Sequence, residues 1–234
     1  MSVPPFYLYK PDSLDEALRC AVDLDGHFDF MGGGTDLLPG YTQGLNVRRN
    51  VISLTGISSL TRLSAFSIGA CVTLADLIRH GDRLPPVISQ TARSIAGPAI
   101  RESATVGGNM LLNGRCRFYN QSELSRCAHG ACMKAEGDEC LVVSQRETCY
   151  AIASGDLAPV FMVLGAHFRI EGPEGERLVS AADFFQPNGM KPTVMGSSDL
   201  LTEIVLPEDV NERDAEYVKL RPRSSVDFPE AGVA

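Results

Sequence analysis

The chain contains no tryptophan, and aromatic residues make up only 7% of its 234 positions. So few rings do not favour a stacking platform for single-stranded nucleic acid. Basic residues are not in excess either, because the formal net charge is -8 and the isoelectric point is near 5.0. An acidic chain has little electrostatic attraction for nucleic acid or for an anionic membrane. We therefore expect neither nucleic acid nor a membrane among its partners.

Long apolar runs are also absent. No segment approaches the roughly 18 consecutive apolar residues that span a bilayer, and residues 1–5 lack the basic and apolar pattern of a signal peptide. A cytoplasmic protein is expected on these grounds. Disulfides are disfavoured in that compartment, so clustered cysteines predict metal or redox ligands first. The hydrophobic content of 44% is enough for one or two compact domains.

Local patterns predict a small α/β unit in the first 60 residues. A helix over 14–22 is predicted by apolar residues at helical spacing, after a capping-box pattern that begins at Ser13. Its expected buried face consists of Leu14, Ala17, Leu18, Ala21 and Val22. Strand-like runs at 5–9, 27–31 and 50–54 complete the unit, with parallel pairing.

The rest of the chain alternates between periodic and irregular segments. Strands are predicted over 66–70, 166–170, 201–206 and 216–220, and helices over 73–80, 86–96 and 157–164. Residues 100–113 are expected to form a loop, and residues 171–175 a hairpin turn.

Two glycine-rich segments have the composition of phosphate-binding loops. Residues 32–36 (GGGTD) follow a predicted strand, and residues 105–109 (TVGGN) repeat the chemistry. Glycine lets backbone N–H groups approach an anion, and a helix beginning near Asp36 would add its N-terminal dipole. Two such loops can clamp a pyrophosphate; two unrelated turns are the alternative. The first segment is neither a Walker loop nor a G-x-G-x-x-G dinucleotide fingerprint.

Five of the seven cysteines lie between residues 116 and 149, namely Cys116, Cys127, Cys132, Cys140 and Cys149. Zinc favours close pairs, and only Cys127 with Cys132 comes near that spacing. Gaps of 16, 8 and 9 residues between the other four suit a loop around a bulkier object, such as an iron–sulfur cubane. Spacing alone leaves an iron–sulfur cluster, zinc, and disulfides or free thiols as alternatives. Cys20 and Cys71 are expected to be inert core thiols.

Residues 32–37 (GGGTDL), 100–109 (IRESATVGGN) and 155–159 (GDLAP) resemble motifs of the flavin subunits in the xanthine dehydrogenase and carbon monoxide dehydrogenase family of molybdenum hydroxylases. The resemblance implies an α+β, two-subdomain FAD-binding fold with a mainly antiparallel second sheet. It implies that both glycine segments hold the FAD pyrophosphate through Gly32, Gly33, Gly34, Thr35, Asp36, Thr105, Val106, Gly107, Gly108 and Asn109. It also implies that Asp156 and Lys219 lie near the flavin. Asp156 also has the composition of an N-cap for the following helix, and the two roles are compatible.

The cysteine-rich region has a more specific resemblance. Residues 115–122 (RCRFYNQS) and 134–140 (KAEGDEC) resemble an insert in the flavin subunits of 4-hydroxybenzoyl-CoA reductases, which binds a [4Fe-4S] cluster. The ligands implied are Cys116, Cys132, Cys140 and Cys149, with Cys127 as a spare. We call residues 116–149 the cysteine insert.

This resemblance implies an electron-transfer subunit. A ferredoxin-like donor would supply electrons, which would pass through [4Fe-4S] and FAD toward a [2Fe-2S] subunit and a molybdenum-cofactor subunit that dehydroxylates 4-hydroxybenzoyl-CoA. The alternatives are a flavin subunit of another molybdenum hydroxylase working oxidatively, and a zinc-stabilised, non-catalytic assembly subunit. The expected subdomains are 1–60 and 61–220, with residues 221–234 as the start of a C-terminal domain that the sequence otherwise lacks.

Overall fold

The structure, a computed structural model, describes residues 2–143, 147–221 and 229–234. Its strands are β1 (Tyr7–Tyr9), β2 (Phe28–Met31), β3 (Asn50–Ser53), β4 (Ser67–Gly69), β5 (His167–Gly172), β6 (Gly175–Ser180), β7 (Leu200–Val205), β8 (Val218–Leu220) and β9 (Ala231–Val233). Its helices are α1 (Leu14–Asp23), α2 (Leu37–Thr42), α3 (Leu74–Arg79), α4 (Pro86–Ser94), α5 (Pro98–Arg101), α6 (Val106–Met110), α7 (Glu123–His129), α8 (Leu157–Val163) and α9 (Ala181–Phe184). Within these ranges, every helix is too short or too polar to cross a lipid bilayer.

A three-stranded parallel sheet of order β1-β3-β2 forms the N-terminal unit. The central strand β3 contributes Val51 and Ile52, which are both fully buried. Helix α1 covers the sheet and places Ala17 and Ala21 in the same apolar core as Ile52. The predicted α/β unit with parallel pairing is therefore present.

Helix α1 begins where the sequence predicts but buries a narrower face. The Ser13 hydroxyl accepts the N–H of Glu16 at 3.3 Å, as an N-cap does. Ala17 and Ala21 are fully buried, whereas Val22 is 52% exposed. The prediction that Val22 faces the core is wrong, because each residue turns by about 100° around the helix axis. Val22 therefore lies about 100° away from Ala21 around the helix and points away from the buried face.

The second unit is built on an antiparallel sheet of order β4-β7-β5-β6. Its core is a large apolar cluster in which Phe161 of α8 and Phe168 of β5 are fully buried. The hairpin predicted at 171–175 joins β5 to β6, with Gly172 paired to Gly175. Together the two units give the α+β fold with an antiparallel second sheet that the sequence indicates.

The prediction that residues 100–113 form a loop is wrong in part, because these residues contain the short helix α6. The Thr105 hydroxyl accepts the N–H of Gly108 at 3.1 Å and so caps the helix. The N–H of Gly107 binds the carbonyl of Ala70 at 2.8 Å. Capping and this tertiary hydrogen bond outweigh the low helix propensity of two consecutive glycines.

Residues 231–233 form β9, which pairs antiparallel with β8. Residues 222–228, which belong to the predicted segment 221–234, lie outside the described residues. The expected boundary near residue 60 is crossed by core packing, because Cys71 and Leu200 join the apolar core of the N-terminal unit. Cys71 is buried as predicted, and burial raises the pKa of its thiol to about 12.

Candidate functional site

A cleft of about 510 Å³ lies where the two units meet. It is walled by the end of β2, the loop into α2, the start of α6 and the first residues of β7. The predicted flavin residues that line it are Gly32, Gly33, Gly34, Thr35, Asp36, Thr105, Gly107, Gly108 and Asn109. The structure thus brings the two glycine segments to one cleft, and their contact with a pyrophosphate stays a prediction.

The two glycine segments approach so closely that side chains would not fit between them. A Cβ on Gly33 would lie 1.6 Å from the carbonyl oxygen of Ser103. A Cβ on Gly32 would lie 2.7 Å from the Thr105 hydroxyl. Gly34 has a φ of +69°, in the left-handed region that favours glycine. Backbone rather than side chain therefore forms this part of the cleft.

Val106 and Asn109 support the second segment in different ways. Val106 is fully buried outside the cleft lining, and its N–H binds the Val72 carbonyl at 2.9 Å. Asn109 is 7% exposed, and its side-chain oxygen accepts the N–H of Leu157 at 3.1 Å. That hydrogen bond ties α6 to the start of α8.

Asp156 and Lys219 pair with each other outside the cleft lining. The Lys219 ammonium lies 2.9 Å from the Asp156 carboxylate, which also accepts the Tyr217 hydroxyl at 2.7 Å. Lys219 donates to the Ser94 carbonyl at 3.3 Å, just before Ile95 and Ala96 of the cleft wall. Asp156 occupies the N-cap position of α8, as the sequence also indicates, but its side chain makes no cap hydrogen bond. Its carboxylate is instead committed to a buried ion pair.

One acid–phenol pair in the cleft wall belongs to none of the sequence motifs. The Tyr41 hydroxyl donates to the Asp29 carboxylate at 2.6 Å, and both residues line the cleft. Burial raises the pKa of Asp29, and the hydrogen bond from Tyr41 opposes the rise. A carboxylate inside the otherwise apolar strand FDFM was the available signal.

The cysteine insert leaves and rejoins the fold at one place next to this cleft. Arg115 and Ile152 flank it and form an antiparallel bridge. The Arg115 guanidinium forms an ion pair with Asp36 of the first glycine segment, and both residues line the cleft. On the far side, the Arg126 guanidinium of α7 donates to the Gly44 carbonyl at 2.9 Å. The insert is therefore attached to the N-terminal unit in two places.

Four thiols of the insert meet at a second, smaller cavity of about 20 Å³. They are the predicted ligands Cys116, Cys132, Cys140 and Cys149. All four are free thiols, and the last three are buried. Cys127 is exposed on α7 and does not line this cavity. The structure thus separates Cys127 from the other four, and their role as ligands stays a prediction.

Donors and a cation surround these sulfurs. The N–H of Val143 binds the Cys140 sulfur at 3.5 Å, and the N–H of Ala151 binds the Cys149 sulfur at 3.4 Å. The Val143 hydrogen bond lowers the pKa of Cys140. Lys134 is 9% exposed and lines the same cavity. Its ammonium donates to the Gly114 carbonyl at 3.3 Å.

The thiols line one cavity without forming a compact ligand group. Within the described residues, no three His, Cys, Asp or Glu side chains form a group that could hold one metal ion. Zinc with bonds of about 2.3 Å would bring its sulfur ligands to within about 4 Å of one another. An iron–sulfur cubane separates its ligands more widely, since each thiolate binds a different iron.

Comparison with known proteins identifies the family. Residues 4–209 match the family described as the FAD binding domain in molybdopterin dehydrogenase. The chain is 30% identical over 220 residues to the aldehyde oxidoreductase FAD-binding subunit PaoB of Escherichia coli, covering 88% of this chain and 69% of PaoB. It is 26% identical over 241 residues to the carbon monoxide dehydrogenase medium chain of Hydrogenophaga pseudoflava, covering 100% of this chain and 69% of that protein.

Solved structures show the same fold. Carbon monoxide dehydrogenase from Hydrogenophaga pseudoflava superposes with a TM-score of 0.74 at 23% identity, covering 99% of this chain and 69% of that one. The enzyme from Oligotropha carboxidovorans gives a TM-score of 0.74 at 24% identity, with the same coverage of 99% and 69%. The family match extends from before the first glycine segment to beyond β7, and so includes every wall of the cleft. The chain therefore belongs to the family of FAD-binding domains of molybdopterin dehydrogenases.

Proposed function

We propose that this chain is an electron-transfer flavin subunit that also binds a [4Fe-4S] cluster in its cysteine insert. In this proposal it works in a complex resembling 4-hydroxybenzoyl-CoA reductase. A ferredoxin-like donor supplies electrons, and they leave toward a [2Fe-2S] subunit and a molybdenum-cofactor subunit. The observation that carries the proposal is the convergence of four insert thiols at one cavity beside the flavin cleft.

The cleft fits FAD in size and chemistry. Its volume of about 510 Å³ is in the range of cofactor sites, and its two glycine segments present backbone where a pyrophosphate needs N–H donors. FAD, when bound, supplies one- or two-electron redox chemistry. The chain's part is to hold the pyrophosphate through residues 32–36 and 105–109. The Asp156–Lys219 pair supports the wall at Ser94 from behind.

The insert fits an anionic cluster in its chemistry. Lys134 is buried, and no carboxylate lies within ion-pair distance of it among the described residues. A buried ammonium without an anion is unfavourable, and a thiolate-bound cluster supplies the missing negative charge. The cavity of about 20 Å³ is smaller than a cubane, so its walls must move outward to admit one. Val142 and Tyr150 line the cavity and are 55% and 51% exposed, so we expect this outer part of the wall to move.

The test is anaerobic purification followed by iron, sulfide, zinc and flavin analysis. About four iron and four sulfide per chain, with bound FAD, are expected from the proposed ligand set. Cys132→Ser should remove the cluster, and Cys127→Ser should retain it. Stoichiometric zinc without flavin would contradict the proposal and leave a zinc-stabilised assembly subunit. Iron that survives every single replacement of the four ligands would overturn the ligand assignment.

A second candidate is a flavin subunit that works oxidatively. Its support is the 30% identity to the aldehyde oxidoreductase subunit PaoB and the likeness to carbon monoxide dehydrogenase medium chains. A redox titration of the loaded chain separates the two directions. A cluster midpoint potential below that of the flavin supports electron entry through the insert. A cluster potential well above that of the flavin supports electron exit to an acceptor.

A further inference from the structure

The ion pair between Arg115 and Asp36 joins the insert to the first glycine segment. Asp36 follows the glycines whose N–H groups are proposed to bind the pyrophosphate, and its carboxylate lies in the cleft wall. A pyrophosphate is doubly charged, so an unpaired carboxylate at this position would repel it. The Arg115 guanidinium lies against this carboxylate. The cation is contributed by the residue that directly precedes Cys116.

We propose that Arg115 is a flavin-positioning residue, which neutralises Asp36 and so allows the first glycine segment to accept the FAD pyrophosphate. The Arg115 side chain is 45% exposed and that of Asp36 is 30% exposed, so the ion pair lies at the cleft wall, where solvent screens part of the attraction. Charge interactions are stronger there than in open water. Arg115 and Ile152 form the stem of the insert. The backbone hydrogen bonds between them hold the Arg115 backbone, and thereby the origin of its side chain, in place.

This inference rests on the FAD-binding part of the proposed function and not on the cluster. It assigns to the residue at the base of the insert a contribution to flavin binding that the glycine segments do not provide. It also explains why an acidic residue is compatible with a loop that binds an anion. Asn113 and Asn120 also line the cleft, so residues before and after Arg115 in the chain contribute to its wall.

The test is a charge-based double-mutant cycle on FAD affinity, measured by flavin fluorescence on the full chain. Arg115→Gln should weaken binding about tenfold or more, because Asp36 is then unpaired. Asp36→Asn should tighten binding, because the guanidinium then faces the phosphates alone. The double variant Asp36→Asn with Arg115→Gln should recover most of the loss of Arg115→Gln. Arg115→Lys should bind more tightly than Arg115→Gln.

The matched control is Arg117→Gln, which removes an exposed cation two positions further along the insert and should leave FAD affinity unchanged. A double variant that binds as weakly as Arg115→Gln would indicate a purely structural role and overturn the inference. An Asp36→Asn variant that binds FAD more weakly than the unaltered chain would also overturn the inference. This second measurement does not depend on whether Arg115→Gln folds. If the unaltered chain binds no FAD, the proposed function itself fails. If it binds FAD and Arg115→Gln binds equally well, only the inference fails.

Discussion

Arg115 and Ile152 exchange two backbone hydrogen bonds, of 2.8 and 2.9 Å, at the point where the cysteine insert leaves and rejoins the fold. These hydrogen bonds close a long excursion at its base. Closing a loop has an entropic cost that contacts inside it must offset. The proposed ligands Cys116 and Cys149 lie next to the two ends, so a cluster bound between them would reinforce the same closure.

The first prediction concerns coupling between the two cofactors. Cys132→Ser is expected to weaken FAD binding about tenfold as well as to remove the cluster, because the stem that holds Arg115 loses support. FAD affinity and iron content are measured on the same anaerobic preparation. Cys127→Ser is the control, since Cys127 is exposed and lies outside the thiol cavity. An unchanged FAD affinity in the cluster-free chain would show that the two sites are independent.

The second prediction concerns the cluster's potential. Lys134→Met keeps the length of a side chain that lies 5.0 Å from the centroid of the Tyr119 ring but removes its charge. The reduced cluster is more negative than the oxidised one and gains more from a nearby cation. The midpoint potential is therefore expected to fall by about 59 mV, a tenfold change in the one-electron equilibrium.

An EPR-monitored redox titration measures this shift, after iron and sulfide analysis has shown that the cluster is present. Lys134→Arg keeps the charge and should stay near the original potential. The exposed Lys10→Met is the surface control. A fully loaded Lys134→Met chain with the original potential would rule out this role.

The third prediction concerns the contact between the two glycine segments. Gly33→Ala would place a Cβ 1.6 Å from the Ser103 carbonyl oxygen, so one backbone segment must move. The free energy of unfolding should fall by about 3 kcal/mol, and FAD binding should be lost. Chemical denaturation and flavin fluorescence measure the two effects.

Gly40→Ala is the matched control for stability, because a Cβ there meets no atom within 4 Å and Gly40 lies within α2. Its free energy of unfolding should be unchanged or higher by up to about 1 kcal/mol. Equal stability losses in the two variants would contradict the steric explanation.

The fourth prediction concerns pH. Burial by itself raises the pKa of Asp199, but the hydrogen bond from Arg177 and the N–H of Gly196 outweigh it and hold that pKa below its ordinary value. The folded state therefore binds fewer protons here than the unfolded chain. The contribution to stability is complete above the ordinary value of 3.8 and is lost as the pH falls through the lower folded pKa.

Asp199→Asn should cost about 2 kcal/mol at pH 7, and this difference should shrink in strongly acidic solution. Urea denaturation at several pH values measures it. Asp209→Asn removes an exposed carboxylate that pairs with Arg213 on the surface, and should cost no more than about 0.5 kcal/mol. A cost for Asp199→Asn that does not change with pH would contradict the assignment.

Sequence patterns predicted most of the elements because their signals are local. Ser13 caps α1, and Thr73 with Asp76 forms the capping box of α3. The hairpin turn and the buried strands are likewise recognisable from their own residue composition. Helix α6 was missed because two glycines hide a helix that is stabilised by contacts to Ala70 and Val72. Those contacts are tertiary and have no local signature.

The site was predicted unevenly for the same reason. Glycine segments and cysteine spacing are visible in the sequence, and the structure brings each set together. The partners of charged residues are not visible. Asp156 pairs with Lys219, and Asp36 with Arg115, across long stretches of chain whose approach depends on the whole fold. Local composition therefore indicated which segments come together but not which charges balance one another.

The Arg126 anchor has a consequence for the order of assembly. Its guanidinium donates to the Gln43 and Gly44 carbonyls, directly after the helix that walls the cleft. Together with the Arg115–Asp36 ion pair, these hydrogen bonds attach the insert to the N-terminal unit on both sides of α2. We expect a bulky dinucleotide to enter the cleft most readily before these contacts form. Maturation should therefore run from flavin loading to cluster insertion, and the finished protein should release its flavin slowly.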